Sequence, residues 1–311
     1  MRVSTFPNPP VTLPSRPTGG HKGTFGTVVA VGGCTGTEST GGVRMFGGAA
    51  LAALAALRAG CGLARLLVPE PLLNAALSVA PVCTGAALAV DEAGGIVAHE
   101  AARVLDANSV KAGAIVIGPA LGRGEGARAL VLRAVGQDTV PVVADADALN
   151  LLCETPEFWR DVRAPLIITP HPGEFERLAK ALGVTGSATD GGQRADAAAG
   201  LAQKLGAVVV LKGDRTVVSD GHDAWTLDAP NPAMSTGGSG DALAGAIAGL
   251  AAQHAGGSSA RRLFDLACAG VWAHAAAGKR WRDASGASGG MLATDLLEFL
   301  PGAVEGLREG G

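Results

Sequence analysis

The amino-acid sequence predicts an α/β protein with a mostly parallel central sheet that is covered by helices on both faces. Strand-like segments alternate with helical patterns through most of the 311 residues. The strand-like segments are apolar along their whole length, which is typical of strands buried on both faces. The composition agrees, because 48% hydrophobic residues and 47 glycines suit alanine-rich helices packed closely on a sheet.

The first half of the chain contributes strands separated by one long helix. "TVVAVGG" predicts a strand ended by glycines, and "MFGGAALAALAALRAG" predicts a helix that stops at Gly60. "LARLLVP" is the next strand, and "AALAVDEAGGIVA" suits a hairpin around Gly94 and Gly95. Residues 71–90 form the longest uncharged run, but their prolines and glycine favour a helix, a loop and a strand over a membrane span. "AGAIVIGPALG" predicts a further strand that runs into a turn.

The second half repeats the alternation and ends in helices. "ARALVLRAV" predicts a helix, and "VPVVADADALNLL" predicts a strand that ends on acidic residues. "APLIITPHPGEFERLAKALG" and "GLAQKLGAVVVLKG" each combine a helix with a strand, and "RTVVSDG" is the expected hairpin partner of the latter strand. Two or three alanine-rich helices follow "GGSGD". Loops that follow parallel strands meet at one edge of the sheet, where we expect the ligands to bind.

The pattern predicts a single domain with a short arm. Residues 1–20 are proline-rich and read as an N-terminal arm, and residues 21–305 read as one domain. The last residues, 308–311, are expected to fray. The N-terminus lacks the apolar segment of a signal peptide. No linker and no internal repeat at a fixed period divides the chain.

Charge and cysteine content exclude several function classes. The net charge of −3 gives no basic footprint for nucleic acid. The five cysteines are scattered without a C-x-x-C pair, which argues against a zinc site or a disulfide framework and favours the reducing cytoplasm. We therefore expect a cytoplasmic protein that binds small molecules, with neither a membrane nor a nucleic acid as its partner.

The strongest candidate site is the glycine-rich loop "NPAMSTGGSGDALAG", which leads into a helix. The N–H groups of Gly238, Ser239 and Gly240 would lie at the helix N-terminus, where the helix dipole favours an anion. Asp241 would lie in the first turn, beside that anion. The alternative is that Ser239 and Asp241 only cap the helix. A cap does not require so long a glycine lead, so the loop favours the anion site.

Two further loops carry charged residues at strand ends. Lys212 and Gly213 end a strand where a lysine can neutralise a phosphate, although an ordinary hairpin is the alternative. His171 is fixed between two prolines, and Glu174 follows in the first helical turn. Glu174 is the candidate ligand of a Mg²⁺ ion, through water, with a plain helix start as the alternative.

The remaining loops exclude two common classes of nucleotide-binding site. Asp145 and Asp147 are two apart, so in an extended segment they would share one side and suit metal or ribose contacts; an acidic helix start is the alternative. "VGGCTGTESTGGVRM" and "GPALGRGEG" match neither the P-loop nor the G-x-G-x-x-G pattern. The chain is therefore neither a Walker-type NTPase nor a plain Rossmann dehydrogenase.

Taken together, these loops resemble a known family. "GGSGD" resembles the anion-hole and base motif of the ribokinase-like superfamily. More narrowly, the order of "LPSRPTGGHKGTFGTVVAVGG", "GGVRM", "ALRAGCGLARLLVP", "IGPALG", "DADALN", "TPHPGE", "LKG" and "TGGSGDALAG" resembles that of the NAD(P)H-hydrate dehydratases, which repair nicotinamide nucleotides. The match runs from about Leu13 to the alanine-rich helices. The resemblance implies a ribokinase-like three-layer α/β/α sandwich, ADP as the cosubstrate with ATP as the alternative, and Mg²⁺.

The resemblance also implies roles for particular residues. Asp241 matches the catalytic aspartate, and Gly240 matches its anion-hole neighbour. The adenine-nucleotide segment corresponds to Lys212, Gly213, Asp214, Arg215 and Thr216. Contacts to the hydrated dinucleotide correspond to Gly42, Gly122 and His171, together with Asp241. This chain has Gly42 where the family often has alanine, and Ala120 where it usually has glycine.

The implied activity is that of a hydro-lyase that restores NADH or NADPH from the hydrates NADHX or NADPHX, consuming ADP and releasing AMP and phosphate. The chain is expected to be a stand-alone dehydratase that forms a homo-oligomer, with a tetramer as one option, and that works with a separate NAD(P)H-hydrate epimerase. The alternative is a ribokinase-like kinase of a thiazole or pyrimidine alcohol; "HKGTFG" with "TPHPGE" favours the dehydratase. A non-catalytic adenylate sensor is a third reading, and an intact Asp241 argues against it.

Overall fold

The computed structural model describes residues 6–256 and 262–308, which are organised around one nine-stranded sheet. The strands are β1 (Thr27–Val31), β2 (Cys34–Thr35), β3 (Arg44–Met45), β4 (Leu63–Pro69), β5 (Thr84–Leu88), β6 (Ala114–Ile117), β7 (Val142–Ala144), β8 (Leu166–Ile168), β9 (Val208–Leu211), β10 (Arg215–Ser219) and β11 (Ala224–Asp228). The helices are α1 (Gly47–Arg58), α2 (Leu73–Val79), α3 (Ala98–Ser109), α4 (Glu125–Gly136), α5 (Asp147–Cys153), α6 (Pro172–Leu182), α7 (Arg194–Leu205), α8 (Ser239–His254), α9 (Leu263–Ser285) and α10 (Ala293–Glu305).

The sheet is parallel except at one edge. Its strand order is β11-β10-β9-β8-β7-β6-β1-β4-β5, and β2 and β3 form a separate two-stranded sheet. Seven neighbouring strands of this order, β9-β8-β7-β6-β1-β4-β5, pair in parallel. Strand β10 is antiparallel to both β9 and β11. The chain moves outward from β1 through β4 to β5 and then returns to β6 on the other side of β1. Loops that follow the parallel strands therefore meet at the carboxyl edge, as the sequence predicted.

Two apolar cores lie on opposite faces of the sheet, which confirms the three-layer α/β/α sandwich. One core contains residues of α1, α2, α8, α9 and α10, and the other contains residues of α3 to α7. Helices α1 and α8 pack so closely that a Cβ on Gly245 would lie 2.1 Å from the carbonyl oxygen of Ala52. This contact explains why the sequence needs small residues there. Within the two described stretches, no helix combines the length and apolar character that crossing a bilayer would require.

Most predicted elements are confirmed, and the differences concern two helices and the hairpins at short strands. The hairpin of β9 and β10 is present as predicted. The hairpin around Gly94 and Gly95 is reduced to a single bridge between Val90 and Ile96, because α3 begins two residues later at Ala98. The sequence patterns did not indicate α3 or β11. They also placed the start of α7 near residue 200, whereas it begins at Arg194.

The N-terminal segment packs along the domain. Leu13 is fully buried, and its N–H donates to the carbonyl of Leu307 at 2.6 Å. The indole of Trp272 donates to the carbonyl of Pro7 at 2.8 Å. Arg308, at the start of the stretch expected to fray, is buried and donates to the carbonyl of Pro14. The rest of that stretch, 309–311, lies outside the described residues, and the division of the chain at residue 20 stays a prediction.

Candidate active site

Asp241 lies in the first turn of α8, at the carboxyl edge of the sheet. The residue before the helix is Gly238, whose φ of 87° suits glycine, and no side chain caps this helix. The Ser239 hydroxyl instead lies 3.3 Å from Nε2 of His274. The alternative in which Ser239 and Asp241 cap the helix is therefore wrong. The N-terminus of α8 therefore has no side-chain cap, although the N–H of Ser239 donates to the carbonyl of Thr236 at 3.4 Å. A helix start without a side-chain cap suits an anion.

The carboxylate of Asp241 is held between two helix starts. A Cβ built on Gly48, in the first turn of α1, would lie 2.9 Å from Oδ2 of Asp241. Burial, and then the nearby charge of Asp145, raise the pKa of Asp241 to about 7, while Lys212 opposes the shift. A carboxylate that titrates near neutral pH is suited to accept a proton during a reaction.

Lys212 lies between two neighbouring carboxylates, those of Asp145 and Glu174. Its Nζ donates to Oδ1 of Asp145 at 2.7 Å and lies 3.9 Å from Oε2 of Glu174. Burial alone would lower the pKa of Lys212, but Asp145 and Glu174 outweigh it and hold the pKa above its ordinary value. A Cβ on Gly240 would lie 3.4 Å from the same Nζ. The ammonium group is thus charged and adjacent to the start of α8.

His171 and Glu174 form a capping box at the start of α6. Nδ1 of His171 accepts from the N–H of Gly173 at 3.1 Å, and Oε2 of Glu174 accepts from the N–H of His171 at 2.8 Å. The Nε2 atom of His171 lies 3.3 Å from Oε1 of Glu174. Burial, and then Lys212 and Arg177, lower the pKa of His171 below its ordinary value and so favour the neutral ring. Burial raises the pKa of Glu174 to about 7.

These contacts bear on the Mg²⁺ prediction. Both oxygens of Glu174 already face polar partners. In the part of the chain that the structure describes, no group of three or more His, Cys, Asp or Glu side chains is placed to hold a metal ion. Glu174 as a water-mediated ligand of Mg²⁺ therefore stays a prediction.

Asp145 and Asp147 do not share one side of an extended segment. Ala146 between them has φ 51° and ψ −120°, and Asp147 is the first residue of α5. Asp145 therefore faces Lys212, whereas Oδ2 of Asp147 accepts from the N–H of Gly122 at 2.9 Å. For Asp147 the acidic helix start is the correct interpretation.

A cavity of about 740 Å³ opens beside Lys212 and the start of α8. Apolar side chains such as Leu227, Leu243 and Val271 form part of its wall. Of the residues predicted to bind the nucleotide or substrate, its wall includes His171, Lys212, Gly213, Asp214, Thr216, Ser239 and Gly240. The wall does not include Asp241, nor Gly42, Gly122, Gly238 or Arg215. The side chain of Arg215 pairs with Asp228 at the surface. The volume and the mixed lining suit a nucleotide-sized ligand.

Gly42 and Gly122 lie in a second region, around the β2–β3 hairpin. A Cβ on Gly122, whose φ is 72°, would lie 2.8 Å from Cβ of Cys34. Gly42 is exposed in the same hairpin, and a Cβ there would meet nothing within 4 Å. The charge of Asp147, which binds Gly122, also raises the pKa of Asp241. The structure therefore places the Gly122 turn near Asp241 through Asp147, whereas Gly42 has no described contact with Asp241.

Three residues of the site were missed by sequence reasoning. Gly48 leaves room for the Asp241 carboxylate, which a Cβ would crowd, and Arg194 donates to the carbonyls of Leu211 and Lys212. His274 lines the cavity, where burial lowers its pKa to about 4 and its Nε2 donates to the carbonyl of Ser239 at 2.9 Å. A glycine in an alanine-rich helix and an arginine at a helix start give no sequence signal of these contacts, which depend on the fold.

Comparison with known proteins extends these observations. The model of the family described as NAD(P)H-hydrate dehydratase matches residues 40–302. The chain is 37% identical to the bifunctional NAD(P)H-hydrate repair enzyme Nnr of Moorella thermoacetica, over 96% of this chain and 52% of that protein. It is 34% identical to the ADP-dependent (S)-NAD(P)H-hydrate dehydratase of Neisseria meningitidis serogroup B, over 92% of this chain and 88% of that protein. The chain therefore spans about half the length of the bifunctional relatives that it matches.

Solved structures with the same fold include two of particular interest. The ADP/ATP-dependent NAD(P)H-hydrate dehydratase of Bacillus subtilis, co-crystallised with ATP/Mg²⁺, is similar with a TM-score of 0.73 and 28% identity, over 96% of this chain and 95% of that one. A ribokinase-like superfamily protein of Enterococcus faecalis is similar with a TM-score of 0.72 and 23% identity, over 96% of this chain and 93% of that one. The second likeness concerns the fold alone.

Proposed function

Because the chain belongs to the NAD(P)H-hydrate dehydratase family, we propose that it restores NADH and NADPH from their hydrates, using ADP and releasing AMP and phosphate. The observation that carries this proposal is the juxtaposition of a half-buried carboxylate, Asp241, with a charged Lys212 that lines a nucleotide-sized cavity. In this proposal the phosphoryl donor in the cavity and its acceptor meet at the start of α8, where Lys212 lies next to Gly240 and Asp241 follows in the first helical turn.

The proposed reaction makes a poor leaving group into a good one. The hydroxyl oxygen of the hydrate forms a bond to the terminal phosphorus of ADP as the bond to AMP breaks, and Asp241 takes the hydroxyl proton. The lone pair of the ring nitrogen then moves toward the ring carbon that carries the phosphate. The phosphate leaves with the electron pair of its bond to that carbon. Loss of a proton from the adjacent ring carbon restores the double bond of the reduced nicotinamide. The pKa of Asp241, raised to about 7, is matched to the first of these proton transfers.

The transferred phosphoryl group would be stabilised by fixed donors. The backbone N–H groups of Gly238, Ser239 and Gly240 lie at the start of α8, where the helix dipole favours negative charge. Lys212 lies next to Gly240 and adds a full positive charge. In this proposal Lys212, Gly213, Asp214 and Thr216 hold the nucleotide from the cavity wall, and Arg215 contributes through its backbone. His171, Gly42 and Gly122 contact the hydrated dinucleotide.

When bound, Mg²⁺ would offset the negative charge of the nucleotide phosphates. Glu174 as a water-mediated ligand stays a prediction, because its oxygens also serve the capping box. A homo-oligomer, a tetramer, a separate epimerase as partner and a cytoplasmic location likewise stay predictions from the sequence.

The decisive experiment follows the reduced nicotinamide by its absorbance. The protein is mixed with NADHX and Mg²⁺, and with ADP or ATP in parallel. We expect absorbance to return with a nucleotide present, and the Asp241→Asn variant to fold but turn over about 10²–10⁴-fold more slowly, as for loss of a general base. Full activity in that variant would remove Asp241 from the mechanism.

The same experiment tests the other two readings. A kinase of a small alcohol would consume ATP with a thiazole or pyrimidine alcohol and leave NADHX unchanged. A nucleotide sensor would bind ADP in a calorimetric titration and form no product from any of these substrates. Either outcome would overturn the dehydratase proposal.

A further inference from the structure

A buried arginine lies beneath the turn that joins β9 to β10. The side chain of Arg194 is 5% exposed. Its Nη2 donates to the carbonyls of Leu211 and Lys212, both at 3.0 Å, and its Nε donates to the carbonyl of Arg215 at 3.2 Å. Its Nη1 donates to the carbonyl of Ala188. One guanidinium group therefore joins the α6–α7 loop, the end of β9 and the start of β10.

The turn and the guanidinium group fit closely. A Cβ built on Gly213 would lie 2.8 Å from Nη2 of Arg194, so glycine is needed there while the arginine is present. The planar guanidinium group of arginine carries several N–H donors that point in different fixed directions. The single ammonium group of a lysine cannot reproduce this arrangement. The conformation of the turn is thus coupled to the presence of this one side chain.

The arginine occupies a position that is electrostatically unfavourable by itself. Arg194 is the first residue of α7, where the helix dipole disfavours a cation. Burial lowers the pKa of Arg194 below its ordinary value, and the nearby charge of Asp214 opposes that shift. The hydrogen bonds to carbonyls offset these costs. A solvent-exposed arginine at this position would need no such partners.

The turn that Arg194 binds is the one that faces the cavity. Lys212, Gly213, Asp214 and Thr216 line the cavity, whereas the Arg194 side chain reaches the turn from α7 and is not part of the wall. Lys212 in turn carries the ammonium group beside the start of α8. A displacement of the turn would therefore move Lys212 relative to the helix N-terminus.

We propose that Arg194 is the positioning residue of the nucleotide site. By binding the carbonyls of the β9–β10 turn it fixes residues 212–216 in the conformation that receives the nucleotide. It contacts neither the nucleotide nor the reacting atoms, and it acts through the turn. The identity of the ligand rests on the proposed function, but the fixing of the turn does not.

The test compares Arg194→Gln and Arg194→Lys with Arg133→Gln, in which an exposed arginine paired with Asp106 loses the same charge. ADP binding is measured by calorimetric titration at a temperature where every variant is folded. Hydrogen exchange of residues 211–216 is measured on the unliganded proteins. We expect Arg194→Gln to bind ADP about tenfold or more weakly and to exchange faster in this segment, with Arg133→Gln unchanged in both. Arg194→Lys should recover only part of the affinity.

The possible results separate the two proposals. If the unmodified protein binds no ADP, the proposed function fails, and faster exchange in Arg194→Gln still supports the positioning role. If Arg194→Gln binds ADP as the unmodified protein does, or its exchange is unchanged, the positioning role is overturned. Full recovery of affinity by Arg194→Lys would also overturn it, because charge alone would then suffice. A lower melting temperature with unchanged ADP affinity would show a role in stability only.

Discussion

At the scale of single residues, the site depends on charges that are kept away from water. Asp241, Asp145, Glu174 and Lys212 share one partly closed space, and three of the four would be negative if all were ionised. One lysine cannot neutralise three carboxylates, so burial and mutual repulsion raise the pKa of Asp241 and of Glu174. A carboxylate whose pKa is raised to near 7 can act as a base at neutral pH, but its charged form destabilises the folded protein.

Asp241→Asn should stabilise the protein above neutral pH. The pKa of Asp241 is raised from 3.8 to about 7, so its contribution to stability is present below pH 4 and is lost as the pH rises to about 7. We expect the variant to be more stable than the unmodified protein by about 1–4 kcal/mol at pH 8 and by much less at pH 4. Urea unfolding at the two pH values measures this, with the exposed Asp138→Asn as the control. Equal stability at pH 8 would contradict the burial argument.

Gly48→Ala should impair the reaction without unfolding the protein. The added methyl group would lie 2.9 Å from Oδ2 of Asp241 and displace the carboxylate. A displacement of about 1 Å in a reacting group can lower turnover by about 10²-fold. The control is Gly47→Ala in the same helical turn, where a Cβ meets nothing within 4 Å. Both variants should remain folded, as checked by their thermal unfolding, and equal turnover in the two would refute the role of this contact.

At the scale of elements, the turns at the carboxyl edge hold strained backbone. Ala120 follows β6 with φ 58°, and Ala146 follows β7 with φ 51°, a region that favours glycine. These turns place Gly122 against Asp147 and direct Asp145 toward Lys212. Strain of this kind persists where the surrounding contacts hold it, and here it lies beside the site.

Ala120→Gly should stabilise the protein, since glycine adopts this φ without the steric cost of a Cβ. We expect a gain of about 0.5–1 kcal/mol in the free energy of unfolding, measured by urea denaturation. The matched control is Ala102→Gly inside α3, which should lose about 1 kcal/mol because glycine is a poor helix former. A loss at both positions would show that the Ala120 turn carries no strain.

The elements also show where sequence patterns are informative. Long periodic segments such as α1 and α8 and apolar strands such as β1 and β9 were predicted, because burial on a sheet imposes their composition. Strand β11 was not predicted, because most of its residues are exposed at the edge of the sheet and burial does not impose an apolar composition on them. The antiparallel bridge at Val90 was overestimated as a hairpin, since periodicity does not determine where α3 begins.

At the scale of the whole molecule, the two ends of the described chain pack together. Leu13 bridges to Arg308, and Arg16 donates to the carbonyl of Gly60 at 2.7 Å. Phe6 packs edge-on against Trp272, with ring centroids 5.7 Å apart. The N-terminal segment therefore covers the core formed by α9 and α10.

Leu13→Ala should lower the free energy of unfolding by about 2–4 kcal/mol, because the side chain is fully buried and leaves a cavity. The exposed neighbouring variant Thr12→Ala is the control and should change stability by less than about 0.5 kcal/mol. Urea unfolding measures both. A similar small change in the two variants would show that the segment contributes little to the core.

The sequence by itself determined the three-layer architecture, the family and the glycine loop that ends at Asp241, because apolar patterning and contiguous motifs are local properties of the chain. The tertiary structure alone decided which side chains meet. Lys212 reaches Asp145 across 67 positions, Gly48 meets Asp241, and Arg194 fixes the β9–β10 turn. Such contacts depend on the order of the strands in the sheet, because that order decides which strand ends become neighbours. The local patterns along the chain do not indicate this order.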